Sequence, residues 1–228
     1  MEPIRNRLFQ VRQRIADAAR AAGRDLDSVQ LLAVSKTRPL ADLQAALEAG
    51  QRAFGESYLQ DAEAKIAAIG TLAEWHFIGP LQSNKTRAVA EQFDWVHSID
   101  RLKIAQRLSD QRPGDRAPLN VCLQVNISNQ PSKSGITTGE AAELAQAVRE
   151  LPGLCLRGLM ALPAQEVDPR RQREAFRQLH QLSQALQQAG LPLDTLSMGM
   201  SQDLEAAIAE GTTLVRVGTA IFGARRVR

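Results

Sequence analysis

Short apolar runs rich in β-branched residues alternate along the chain with longer runs rich in Ala, Leu, Gln and Glu, in which apolar positions recur every three to four residues. The opening run, 2–22, has helical spacing and stops at Gly23, a natural residue just past a helix end. Strands are predicted at 29–35, near 52–54, at 75–78, 95–97, 119–125 and 154–160, near 195–196 and at 214–216. Helical runs follow in turn: one at Pro39, one from Tyr58, one after Ser83, and one from Arg101 that ends before Pro113. Further runs are capped by Thr138, cover 169–189 up to Gly190, and open at Ser201.

Regular alternation of strand and helix calls for a parallel sheet, and eight such units close naturally into a barrel. A doubly wound open sheet would want a glycine-rich fingerprint after its first strand, where this chain reads Ser35-Lys36-Thr37-Arg38-Pro39. No composition shift or low-complexity linker marks a second domain. The expectation is an α/β protein, a single (β/α)8 TIM barrel with an extra N-terminal helix, spanning 1–228 as one domain.

Composition narrows the setting. With 228 residues and 44% hydrophobic content, the chain can bury a large core. The balance of 28 Lys and Arg against 25 Asp and Glu, a formal charge of +3, is too even to point to nucleic acid. No apolar run approaches the ~20 residues that span a bilayer, and nothing resembles a signal peptide. Cys122 and Cys155 fall inside apolar strands, as buried thiols of a reducing cytoplasm would. The basic end Ala224-Arg-Arg-Val-Arg228 reads as a solvated tail. His76 and His97 read as isolated structural residues, and no metal is expected because no cluster has ligand spacing.

Active sites of such barrels gather at the C-terminal ends of the strands, here Lys36, Ser57, Gly79-Pro80, Asn126, Met160, Met198 and Arg216. The segment Ser197-Met-Gly-Met-Ser201 leaves a strand through glycine and is expected to open a helix at Ser201, with Asp203 in its first turn. Arg216-Val-Gly-Thr219 ends the last strand and enters another turn. Helix N-termini carry unpaired N–H groups and partial positive charge, so these two ends suit one phosphate held by Ser201, Gly218 and Thr219. Plain capping by Ser201 and a tight turn at Gly218 account for the same residues. Lys36 either snorkels to solvent or, desolvated at the mouth beside Arg216, is a nucleophile. A nucleophilic lysine beside a phosphate cradle describes a pyridoxal phosphate site, with the aldehyde at Lys36 and Arg216 facing the pyridine nitrogen. Arginine has donors only, so it cannot keep that nitrogen charged.

Ala33-Val-Ser-Lys-Thr37, Gly55-Glu-Ser-Tyr58, Trp75-His-Phe-Ile-Gly-Pro-Leu-Gln-Ser-Asn-Lys85, Val125-Asn-Ile-Ser128, Lys133-Ser-Gly-Ile136, Gly158-Leu-Met160 and Ser197-Met-Gly-Met-Ser201 carry a resemblance. In these motifs, which run in order nearly end to end, the chain resembles the YggS/PROSC family of pyridoxal phosphate homeostasis proteins, similar to the barrel domain of alanine racemase. The resemblance implies that Lys36 forms a Schiff base with the cofactor. It also implies that Ser201, Gly218 and Thr219 bind its phosphate and Arg216 its ring nitrogen, with Ser57 and Met160 among the binding residues. Ser57 stands where the family usually has Asn, and Asn129-Gln-Pro131 replaces a typically acidic stretch.

Three readings follow. A non-catalytic carrier would hold pyridoxal phosphate for storage, delivery or buffering, as a cytoplasmic monomer whose expected partners are apo-enzymes that need it. A racemase or decarboxylase would use the same cofactor on amino acids. An aldolase would use Lys36 alone, and would leave Arg216 without a task. A racemase needs acid/base groups on both faces of its substrate. The chain has one tyrosine, Tyr58, and ends at Arg228 soon after the last strand, so the added β-rich domain of a racemase is not expected. The carrier reading is favoured. Gln82-Ser-Asn-Lys-Thr-Arg87 reads as a polar helix start or a partner surface, and Lys133 as a solvated loop residue or one that reaches the mouth.

Overall fold

The computed structural model describes residues 2–128, 130, 133–164 and 168–224. Its strands are β1 (Gln30–Val34), β2 (Ala53–Glu56), β3 (Glu74–Phe77), β4 (Trp95–Ile99), β5 (Leu119–Gln124), β6 (Leu154–Met160), β7 (Thr195–Ser197) and β8 (Leu214–Val217). All pair in parallel and in chain order, and β8 returns to β1 to close the barrel. The predicted (β/α)8 architecture with a leading helix is what the chain adopts.

The helices are α1 (Ile4–Ala21), α2 (Leu40–Glu48), α3 (Leu59–Ile69), α4 (Thr86–Gln92), α5 (Leu102–Gln111), α6 (Ala141–Arg149), α7 (Pro169–Gln188), α8 (Leu204–Ala209) and α9 (Thr219–Phe222). The leading helix α1 buries Leu8, Val11, Ile15 and Ala19, a stripe at helical spacing, against α2, α8 and α9. It completes the outer ring where the first and last units meet. The main core lies between sheet and helices, whereas Trp95, Cys122 and Met160 form a separate apolar cluster. Covered on both faces, β4 is buried along its whole length.

Several boundaries differ from expectation. Thr138 does not cap α6: the helix begins after Glu140, whose carboxylate accepts from the Thr137 N–H and hydroxyl. Ser201 does not open α8 either, because 201–203 form a turn and the helix starts at Leu204. Asp203 therefore sits ahead of the helix, its carboxylate accepting from Met200 N at 2.5 Å. Cys122 is buried, and burial pushes its thiol up to about 12, but Cys155 is exposed at the start of β6. The basic tail 225–228 and residues 129 and 131 lie outside the described residues. Among the described residues, no helix is long and apolar enough to cross a membrane, and no group of three or more His, Cys, Asp and Glu could hold a metal ion.

Candidate functional site

A cavity of about 340 Å³ opens at the C-terminal end of the barrel. Lys36, just past β1, and Arg216, inside β8, both line it. Ser57 and Met160 contribute from the ends of β2 and β6, Ser201 and Gly218 from the connections that follow β7 and β8, and Thr219 from the first position of α9. The structure thus brings Lys36, Ser57, Met160, Ser201, Arg216, Gly218 and Thr219 to one cavity, of a size that suits a small cofactor. Asn126 and Met198, also at strand ends, do not line it. Lys133 lines an adjoining cavity with Ile78 and Leu162, which both cavities share, and donates to Leu162 O at 3.0 Å. Its pKa is lowered by burial.

Two tight loops build the side of the cavity that Ser201, Gly218 and Thr219 line. Gly199 has φ +93, and a Cβ there would lie 2.6 Å from Ala207 Cβ, so only glycine lets the loop fold onto α8. A Cβ on Gly218 would come within 3.2 Å of Val34 O, which presses the last loop against β1. The two loops meet where Thr219 Oγ1 donates to Ser201 Oγ at 3.2 Å. Hydroxyls and backbone N–H groups on two converging loops form a donor set suited to an anion.

Lys36 is bracketed by a buried charge cluster that the sequence reading missed. Lys65, on α3, donates to Glu56 at 2.8 Å, to Asp61 at 2.7 Å and to the carbonyl of Ser35 at 2.9 Å. Ser35 Oγ donates to the same Glu56 oxygen at 2.6 Å, and Asp61 accepts from Thr37 N at 2.7 Å. Backbone groups on both sides of Lys36 are therefore tied to one cluster. Lys65 is 4% exposed and Glu56 is fully buried. Burial raises the Glu56 carboxyl above the usual carboxylate range, against the pull of Lys65. Among the described residues Thr37 is the one non-glycine with positive φ, at 63°, a costly conformation for a β-branched residue. The signal in the sequence was the Asp61, Lys65 pair at i, i+4.

Arg216 is 3% exposed, and its pKa is lowered by burial to about 10, so it stays charged at neutral pH. Its Nη1 donates to Ser197 O and, at 2.6 Å, to Ser197 Oγ, and its Nη2 donates to Ala161 O at 2.8 Å. His76 and His97 are not isolated: their rings meet at 2.9 Å inside the barrel. Alternation along β3 and β4 places them on the same inner face. The segment from Gln82 to Arg87 forms a 3-10 turn leading into α4, where Thr86 donates to Ser83 O and Arg107 spans both residues.

Residues 7–226 match the family model described as alanine racemase, N-terminal domain. The chain belongs to that family. Within the alanine racemase N-terminal domain family, it is 58% identical over 226 residues to the pyridoxal phosphate homeostasis protein of Pseudomonas aeruginosa, covering 99% of this chain and 97% of that one. The protein of the same name from Escherichia coli K12 is 56% identical, with coverage of 99% and 98%. Among solved structures, PipY of Synechococcus elongatus PCC7942 with pyridoxal phosphate bound superposes with a TM-score of 0.84. It is 37% identical, with coverage of 96% of this chain and 100% of that one.

Proposed function

We propose that this chain binds pyridoxal phosphate in the mouth cavity and acts in its homeostasis, by storage, delivery or buffering, with no dedicated reaction of its own. The observation that carries this reading is the convergence of Lys36, Arg216 and the Ser201–Thr219 contact on one cavity. That donor set fits the group: an amine, a fixed cation and hydroxyls beside converging loop backbones. Pyridoxal phosphate, when bound, supplies an aldehyde that condenses with a primary amine. Lys36 offers that amine. Ser201, Gly218 and Thr219 hold the phosphate, Ser57 and Met160 shape the walls, and Arg216 donates toward the ring nitrogen. Because arginine only donates, the ring gains no proton there and its electron demand stays low.

The cavity's titratable groups support a carrier over a racemase or decarboxylase. Among the described residues they are Lys36, Arg216 and Asp203, and Asp203 is engaged with the backbone of its own loop. The sole tyrosine, Tyr58, is 57% exposed at the start of α3 and outside the cavity lining. The chain works as one barrel domain over 1–228, as a cytoplasmic monomer that exchanges cofactor with apo-enzymes and not with nucleic acid.

Titration with pyridoxal phosphate, followed by visible absorption, tests the reading. The unmodified protein develops a band distinct from free cofactor, and Lys36→Ala does not. Identical spectra for the two proteins would reject it.

A further inference from the structure

The barrel interior holds a line of polar groups that the cofactor reading leaves without a task. From Arg216 Nη1 the line passes to Ser197 Oγ at 2.6 Å and then to His97 Nδ1 at 2.8 Å. It continues from His97 Nε2 to His76 Nδ1 at 2.9 Å, and ends with His76 Nε2 at 3.4 Å from Glu74 Oε2. Arg216 lines the mouth, whereas Glu74 is the first residue of β3 at the opposite end of the barrel. We infer that Ser197, His97 and His76 form a one-way hydrogen-bond chain that positions Arg216, with its direction set from the far end by Glu74. The inference rests on the reading of Arg216 as the group facing the cofactor ring.

The two ends decide the direction. Arginine can only donate, and an ionised carboxylate can only accept. Glu74 is held ionised: its carboxyl lies below the usual range, chiefly through His76, helped by Trp95 Nε1 at 2.7 Å and by the charge of Arg157. His76 Nε2 is buried and, among the described residues, makes no hydrogen bond, and the Glu74 carboxylate lies 3.4 Å from it, where it favours an N–H over a bare nitrogen. If His76 carries its proton there, its Nδ1 must accept from His97 Nε2–H. His97 Nδ1 is then bare and accepts the Ser197 hydroxyl proton. Ser197 Oγ in turn accepts from Arg216. Each hydrogen bond from Arg216 to His76 is then satisfied by neutral rings. The opposite neutral arrangement would set a bare nitrogen of His76 against the Glu74 carboxylate, leaving two acceptors face to face.

The surroundings favour a neutral His97. Burial, with the Arg216 charge nearby, pushes His97 well below the ordinary histidine range. Trp95 stacks on His76 with ring centroids 5.3 Å apart and an interplanar angle of 6°. Arg157 covers Trp95 from 5.0 Å and is itself paired with Asp194. The other charged or titratable groups acting on the line are Cys122, neutral with its thiol at about 12, and Asp203, which adds negative potential beside Arg216. The consequence for the site is rotational. With its hydroxyl proton committed to His97, Ser197 keeps a lone pair aimed at Nη1, and the guanidinium plane is fixed.

Nitrogen-15 NMR of the protein without added cofactor tests the chain, since only three histidines occur and His180→Gln removes the third signal. At pH 7 both His76 and His97 should be neutral with the proton on Nε2. A charged His76, which would drive both links the other way, or an Nδ1–H form of either ring, overturns the inference. A second arm reads the site. Ser197→Ala should weaken pyridoxal phosphate binding by about tenfold. It should also shift the visible band of the bound cofactor, and Ser197→Thr, which keeps the hydroxyl, should restore both. An unchanged band and affinity in Ser197→Ala would overturn the positioning role. If the unmodified protein takes up no cofactor, the functional reading fails while the NMR arm still decides the direction of the chain.

Discussion

Two buried polar assemblies flank the mouth, and they are built on opposite principles. Beside Lys36, the Lys65, Glu56 and Asp61 cluster carries full charges and grips the backbone at Ser35 and Thr37. Behind Arg216, a line of neutral groups through Ser197 and the two histidines grips a side chain. Full charge holds a strained backbone because the ion pair fails as a unit once a partner is lost. Neutral links suit a side chain that must stay charged itself, since a further cation nearby would oppose Arg216. The assemblies also answer pH with opposite signs. Glu56 has a raised pKa in the fold, so its contribution is present below its ordinary value of 4.5 and declines as pH rises through the folded value. His97 has a lowered pKa, so its contribution is present above 6.5 and declines as pH falls below it.

The sharpest way to break this contrast is Lys65→Met, which leaves Glu56 buried without its cation. Unfolding in urea should show a loss of ~3–5 kcal/mol, much of it recovered by adding Glu56→Gln. A single-variant loss under ~1 kcal/mol would show that the charged side does not hold the fold. Ser201 belongs to neither assembly, so Ser201→Ala should lower pyridoxal phosphate affinity by ~1.5–3 kcal/mol while urea stability stays unchanged. Equal affinity would make Ser201 a loop residue only. On the neutral side, stability should fall below pH 6.5 by at most ~1.4 kcal/mol per pH unit from His97, because the unfolded chain takes a proton the folded one resists. His97→Gln should flatten that segment of the pH profile, and an unaltered slope would contradict the assignment. The smallest effect expected is Thr37→Gly, which relieves the left-handed backbone and should add up to ~1 kcal/mol of stability. A loss instead would mean that the strain is relieved elsewhere.

The barrel was legible because strand and helix periods alternate without interruption, and Lys36, Met160 and Arg216 could be placed at strand ends by counting. What failed was local. Ser201 and Thr138 look like helix caps, but in the structure Asp203 and Glu140 accept from backbone N–H groups three residues earlier and delay each helix start. Cys155 sits in an apolar run, yet it is exposed at the start of β6. The assemblies behind the mouth were hidden for another reason. Lys65 meets Glu56 across a strand-to-helix connection, and His97 meets Ser197 a hundred residues away, a pairing that only barrel closure creates. Alternate inward positions on β3 and β4 were the available clue to the histidine pair.

The central claim is that Lys36 is the amine held ready between these assemblies. Incubation with pyridoxal phosphate, borohydride reduction and peptide mapping address it directly, because reduction fixes a pyridoxyl group on whichever lysine has condensed with the aldehyde. The account predicts one dominant label, on Lys36. A dominant label on Lys133 or Lys85 in the unmodified protein, with Lys36 unlabelled, would contradict it.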